Sequence, residues 1–396
     1  MKAVIFGAGR IGCGLAGQLL RDSGHEAVFV ARNPLMAEHL NRVGRYVVRL
    51  AGQGGTREIT VDGIRAVSAC ETGRVAEEIA DAGVIITSVG CDNLEDISGL
   101  IAAGIAKRVE PINVLAFENS GSAGPSLRYW VSRHLPDGFP LDRHGFAGVL
   151  ISRAVTQRIG DPEAGEPLVF VGDTYSRFIV ESAGLRGTLP HIEGMLVTDK
   201  YEAWVQKKFC MFSAAHAATA YLGCLKGYRY IHTAIRDPQI RAAVLAVIKE
   251  GQQGLAARYG KEIAGDESDC REVLDRICNP QLCDPISRVG REPGRKLKAE
   301  DRLVGTALLA EAAGVEPKNL GLAVAAALFF NNYRDPSAFE LRHHVATRGG
   351  EETIHKYCGV DGSSPFGRLA ADSWHRLSEG WQHGRVLLSL DSMTWN

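Results

Sequence analysis

Phe6-Gly7-Ala8-Gly9-Arg10-Ile11-Gly12 is the stretch on which the reading of the fold turns. The apolar run Ala3 to Phe6 that leads into it is short and uninterrupted, as a buried strand is. The residues after it place Leu15, Leu19 and Leu20 on one helical face, which predicts a helix to about Ser23 with Gly24 as its stop. Ala27 to Ala31 reads as a second strand, so the opening is a βαβ unit. The glycines have separate tasks in such a unit. Gly7 permits the tight turn, Gly9 lets a pyrophosphate approach the backbone, and Gly12 lets helix and strand pack closely. The helix start adds unpaired N–H groups and the positive end of a dipole. Gly7, Ala8, Gly9, Arg10, Ile11 and Gly12 are therefore the expected dinucleotide-binding residues.

Working outward, apolar runs recur at Val84 to Val89, Asn113 to Phe117 and Gly148 to Ser152, with a helical pattern at Leu94 to Lys107 between the first two. This alternation implies a parallel sheet with helices on its faces. Val89 and Gly90, at the end of one such run, join the expected cofactor set. Val47 to Val61, with the turn Gly52-Gln53-Gly54-Gly55, predicts an inserted hairpin, and Val169 to Val180 an extra strand pair. Past about residue 195 helical periodicity takes over, at Tyr201 to Leu222, Pro238 to Tyr259, Asp301 to Ala313 and Asn319 to Phe330. Asp237 as N-cap, Pro238 at the first position and Gly260 as stop frame the second of these. The expected architecture is an α/β Rossmann domain over 1–194 and a mostly α-helical substrate-binding domain over 195–396.

The chain has 396 residues, enough for two domains with large cores. Its 45 basic and 46 acidic residues leave a formal net charge of -1, which argues against a nucleic-acid-binding surface. No apolar stretch approaches the roughly 20 residues of a membrane span; the longest, Leu320 to Phe330, suits a core helix. Glycines and Arg10 interrupt the apolar start, so it is read as strand and turn rather than an export signal. The nine cysteines are odd in number and form no C-x-x-C pair, which points to reduced thiols in a cytoplasmic protein without a metal site. We expect no nucleic-acid or membrane partner, and a monomer or small homo-oligomer. Trp374, Trp381 and Trp395 in the tail from Asp361 read as packing on the helical domain or as an oligomer contact.

The second strand ends Val30-Ala31-Arg32-Asn33, with no carboxylate before Glu38 to accept from a ribose 2′-OH. Arg32 suits a 2′-phosphate instead, so NADP(H) is expected over NAD(H). In Lys207 to His216, a regular helix at about 100° per residue puts Lys208, Phe212 and His216 within about 80°, with Ser213 at its edge. A lysine and a histidine on one face suit alcohol oxidation, provided the amine loses its charge through burial or nearby cations. Spacing alone favours two surface residues. Arg288 to Arg302 holds six basic and three acidic residues in fifteen. Arginine forks suit phosphate oxygens, although a solvated charged turn is an equal reading.

Together these stretches resemble the polyol-specific long-chain dehydrogenases, in the mannitol-1-phosphate 5-dehydrogenase branch. The likeness runs through Phe6 to Gly12, Phe117-Glu118-Asn119, Pro190 to Met195, Ala217 to Gly223, Arg288 to Arg291 and Arg295 to Leu297, and ends before the tail past about residue 360. It implies a metal-independent NAD(P)-dependent oxidoreductase interconverting a polyol, or a polyol phosphate such as mannitol 1-phosphate, with its ketose. It also implies Lys208 as general base, His216 as the family histidine, and Asn119 as a holder of the reacting oxygen, helped by His216 or Ser213. Substrate charge is implied at Arg295 and Lys296, with Arg291 beside them. Three positions depart from the family: Ser213 stands for an asparagine, Ala31-Arg32 for an aspartate, and Thr156-Gln157-Arg158 for a shorter stretch containing an aspartate. They keep open an NADPH-dependent reductase of an unphosphorylated or specialised-metabolite ketone, and a nucleotide-binding homologue without turnover.

Overall fold

The computed structural model describes residues 1–52, 54–118 and 121–382. Asn119 and the tail with Trp395 therefore lie outside the described residues. The chain forms two units, Met1–Val205 and one that begins at Gln206.

Among the described residues the first unit has twelve strands: β1 (Lys2–Phe6), β2 (Glu26–Ala31), β3 (Arg45–Gly52), β4 (Gly55–Asp62), β5 (Arg65–Ser68), β6 (Val84–Thr87), β7 (Asn113–Ala116), β8 (Gly145–Ile151), β9 (Val155–Ile159), β10 (Val169–Asp173), β11 (Phe178–Glu181) and β12 (Met195–Thr198). Eight make one sheet in the order β12-β11-β8-β7-β6-β1-β2-β5. From β8 to β5 every pairing is parallel, with Ile5 set between Phe29 and Ile86. The apolar runs in these strands follow from burial on both faces. Ala3 and Ile5 pack with Leu15 and Leu19 on one side, while Val4 and Phe6 pack with Ile97 and Ile101 on the other. Strand order reverses between β1 and β6, and the crevice beyond the carboxyl ends at such a reversal is where ligands bind in open α/β sheets.

The other four strands form a sheet β4-β3-β10-β9. The expected hairpin is β3 and β4, paired antiparallel from Arg45↔Asp62 to Gly52↔Gly55. Val169 to Val180 does not form one strand pair: β10 joins the small sheet and β11 the large one. The small sheet steadies the helical segment after the glycine turn. Tyr46 donates its hydroxyl to Cys13 O at 3.0 Å, and buried Arg153 donates to Gly14 O at 3.0 Å and to Gln18 Oε1 at 2.6 Å. The first unit continues past Gly194, the boundary suggested by the sequence, because β12 pairs in parallel with β11.

The second unit is helical. Helix Pro238–Tyr259, the longest among the described residues, has the caps the sequence indicates: Asp237 accepts from the N–H groups of Gln239 and Ile240, and Gly260 follows at φ +84°. Ile240, Val244, Val247 and Leu255 are buried in a core shared with helices Ala214–Leu225 and Val304–Ala312. The helix expected from Asp301 starts only at Val304, since Asp301 and Arg302 lie in the turn before it. Trp374 packs against this core. No helix among the described residues is long and apolar enough to cross a membrane.

Asp237 also holds Lys226 Nζ at 3.0 Å, and the lysine side chain is only 5% exposed. Asp237→Ala thus removes a cap and takes the carboxylate partner from a buried cation that also donates to Gln239 Oε1. We expect a loss of about 2 kcal/mol or more in thermal or urea unfolding; a loss below about 0.5 kcal/mol contradicts this account.

Candidate active site

The glycine turn explains itself sterically. Gly7 sits at φ +104°, where a Cβ would lie 2.6 Å from Ser88 O, and a Cβ on Gly12 would lie 1.8 Å from Gly7 O. Gly9 differs: a Cβ there would meet nothing within 4 Å. The open space beside it belongs to a cavity of about 410 Å³, lined by Gly7, Ala8, Gly9, Arg32, Val89 and Arg158 among others. Backbone at a helix start, an apolar flank of Met36, Ile97 and Leu100, and basic side chains fit the adenosine and pyrophosphate of a dinucleotide.

Several residues expected at this wall have other occupations. Arg10 donates to Thr156 O at 3.3 Å, towards the small sheet, and Ile11 packs on the core. The N–H groups of Val89 and Gly90 both donate to the buried Glu118 carboxylate, each at 2.9 Å. Val89 still lines the cavity, whereas Gly90 is absent from its lining. Burial pushes the Glu118 carboxyl upward, against those two N–H groups. Glu118 was missed although it sits inside the Phe117-Glu118-Asn119 motif, because nothing in that motif says where its carboxylate points. Arg158 was noted only as a departure from the family.

The second constellation lies in the helical unit. Tyr201 to Leu222 is not one regular helix: Tyr201–Lys208 runs into a π-helical turn, Phe209–Ser213, before Ala214–Leu225 resumes α-geometry. The regular sector expected for Lys208, Phe212 and His216 therefore does not apply, since a π-turn winds more widely. Ser213 closes that turn and is buried.

Charge around the turn is unusually dense. Burial, then the guanidinium groups of Arg302 and Arg276, lower the Lys208 amine to about 7. The arginines are held over aromatic rings, Arg276 at 4.1 Å from the Phe212 centroid and Arg302 at 5.5 Å from that of Phe209. Arg302 also donates to Asp301 at 2.7 Å. Lys296 faces the same arginine: burial, Arg302 and Arg295 lower its amine to about 7 as well, and its Nζ donates to Arg291 O. Arg302 thus stands near two buried amines.

Arg295 is paired with Glu292 at 2.9 Å and with Asp301 at 3.0 Å, while Arg291 is largely exposed, 3.7 Å from Glu292. His216 Nε2 lies 3.3 Å from Asp284 Oδ2. Arg288 holds the same carboxylate by two bonds of 2.5 Å, from Nε to Oδ1 and from Nη2 to Oδ2. Sequence reasoning named neither Arg276, Asp284 nor Arg302 as site residues. Arg302 closes the basic stretch it quoted, but linear charge density does not tell which arginine faces a lysine.

Comparisons with known proteins show the family and the fold. The description "mannitol dehydrogenase Rossmann domain" matches residues 1–194, and "mannitol dehydrogenase C-terminal domain" matches residues 200–357. The chain is 34% identical over 386 residues to a mannitol-1-phosphate 5-dehydrogenase of Brevibacillus brevis, covering 96% of this chain and 99% of that protein. It is similar in fold to Pseudomonas fluorescens mannitol 2-dehydrogenase, solved as a ternary complex with NAD and D-mannitol. That likeness has a TM-score of 0.76 at 16% identity and covers 99% of this chain and 94% of the other. A D-sorbitol dehydrogenase in substrate-free form gives a TM-score of 0.79 at 14% identity, covering 98% and 94%.

The electrostatics can be checked without turnover. Only neutral amines acylate, so competitive labelling should report a Lys208 midpoint near 7. Arg302→Gln removes one repelling cation and should move that midpoint upward. An ordinary lysine midpoint in the unaltered protein would refute the assignment.

Proposed function

The chain belongs to the mannitol dehydrogenase family of oxidoreductases acting on CH–OH groups, and on that premise we propose that it interconverts a hexitol phosphate and the corresponding ketose phosphate with Lys208 as general base. The observation that carries the reading is a lysine shielded from water beside two guanidinium groups, Arg302 near the Phe209 ring and Arg276 over Phe212, a setting that lowers its amine to about 7.

A bound nicotinamide dinucleotide supplies the hydride acceptor for oxidation. The chain's own residues supply the rest. Neutral Lys208 takes the proton of the reacting hydroxyl and, in the reverse direction, returns it to the carbonyl oxygen. Asn119 is assigned to the same oxygen, with the buried Ser213 as a second, shorter donor. Lys296 and Arg302 give the substrate's phosphate a doubly basic partner, and Arg295 and Arg291 extend that charge outward. Of these cations Arg302 also adds to the burial that lowers Lys208, so substrate recognition and base activation share that one residue. In the first unit Arg32 and Arg158 line the nucleotide cavity, and in the sequence Arg32 follows the second strand where a ribose-binding carboxylate would stand. This supports NADP(H) over NAD(H).

Lys208→Ala should lower turnover by about 10²- to 10⁴-fold while leaving nucleotide affinity intact. In the unaltered enzyme, polyol oxidation should rise with pH through about 7, as the base loses its proton, and ketose reduction should fall over the same range. Near-normal turnover of the alanine variant, or oxidation flat across that range, sinks the mechanism. A panel tests specificity: fructose 6-phosphate should be reduced with kcat/KM at least about tenfold above fructose, and NADPH should outperform NADH. Equal use of both sugars removes the phosphate assignment, and tenfold better use of NADH removes that of Arg32.

A further inference from the structure

His216 has two polar ring atoms, and the structure shows what one of them does. Nε2 lies 3.3 Å from Asp284 Oδ2. A carboxylate can only accept, so the contact requires the proton of a neutral imidazole to sit on Nε2. The carboxylate is well anchored for this task. It is 4% exposed, and Arg288, four residues along the helical turn Ile286–Val289, grips both of its oxygens at 2.5 Å. Removing the proton from Nδ1 leaves that atom a lone pair and no donor.

We propose that Asp284 is a positioning residue that fixes the His216 tautomer, so that Nδ1 accepts a hydrogen bond from a hydroxyl group of the polyol rather than donating one to the reacting oxygen. The inference rests on the reading that His216 meets the substrate. It divides the work differently from the general expectation for a histidine beside an alkoxide. Stabilising negative charge on oxygen is left to Asn119 and Ser213, and His216 becomes a reader of an uncharged substrate hydroxyl. A site that accepts from a hydroxyl rejects an analogue lacking it, because its own polar atom is then stranded.

The surrounding charges are consistent with a neutral ring. Burial lowers His216 below the ordinary histidine value; Asp284 opposes this, while Arg288 and Arg276 add to it. Burial raises the Asp284 carboxyl, but the two Arg288 bonds and the contact from His216 lower it, so the acceptor stays ionised beside a neutral ring. Phe212, whose ring centre is 5.3 Å from that of His216, contributes no charge.

The test is a double-mutant cycle on polyol oxidation, using His216→Ala, Asp284→Asn and both together, with cofactor affinity and thermal unfolding followed alongside. The expected pattern has His216→Ala raising KM for the polyol tenfold or more with a smaller change in kcat. Asp284→Asn should lower kcat/KM about tenfold in the unaltered background and hardly at all once His216 is gone. Losses that simply multiply mean that Asp284 acts elsewhere, and overturn the inference while leaving His216 in the site. A fall in kcat at unchanged KM for His216→Ala makes the ring a donor to the reacting oxygen and overturns the acceptor assignment. Near-normal kinetics of His216→Ala removes His216 from the site altogether, and the inference with it. Should Asp284→Asn fail to fold, Arg288→Met loosens the same carboxylate from a more exposed position and must show the same dependence on His216.

Discussion

A half-buried lysine amine beside two guanidinium groups is the constraint on which the candidate site of the helical unit depends. Three cations in a small volume repel, and the one with the lowest intrinsic affinity for its proton yields. Arginine does not lose its proton in a protein, so Lys208 does. The arrangement holds only because each arginine is fixed. Arg276 lies over Phe212, and Arg302 lies near Phe209 with Asp301 as partner. Both aromatic residues belong to the π-helical turn that follows Lys208. The irregular turn is thus what carries the supports of the proposed base, in keeping with the tendency of such turns to mark functional sites.

Lys296 extends the logic. Its neighbour Arg302 also acts on Lys208, and burial keeps its amine near neutrality in the same way. A dianionic phosphate between such groups would relieve repulsion that the free protein carries. Under the proposed function, positive charge that is costly in the free protein would become binding energy with a phosphorylated substrate. The carboxylates nearby limit the cost: Asp301 bridges Arg302 and Arg295, and Glu292 holds Arg295 from the other side.

In the first unit the corresponding constraint is steric. Gly12 and Gly7 approach too closely for any side chain, while Gly9 faces open cavity. Two of the three motif glycines are therefore explained by the protein alone, and only Gly9 by the room it leaves for a ligand. Tyr46 of the small sheet and Arg153, in the link between β8 and β9, brace this turn, and the hairpin of β9 and β10 brings Arg158 to the cavity wall.

Local pattern was enough to recover much of this protein. Apolar runs of strand length, the glycine spacing and the caps Asp237 and Gly260 are short-range signals, and each element they indicate is present. The family likeness likewise rested on contiguous motifs. What local pattern did not reach was decided by contacts between distant segments. Val169 to Val180 divides between two sheets because its halves find different neighbours, and Met195–Thr198 joins the first unit through pairing with β11. The grouping of Lys208 with Arg276 and Arg302, and of His216 with Asp284, spans separate turns of chain. Burial and electrostatic coupling depend on distance in space, so those pairings, and the proton affinities they set, exist only once the helices have packed.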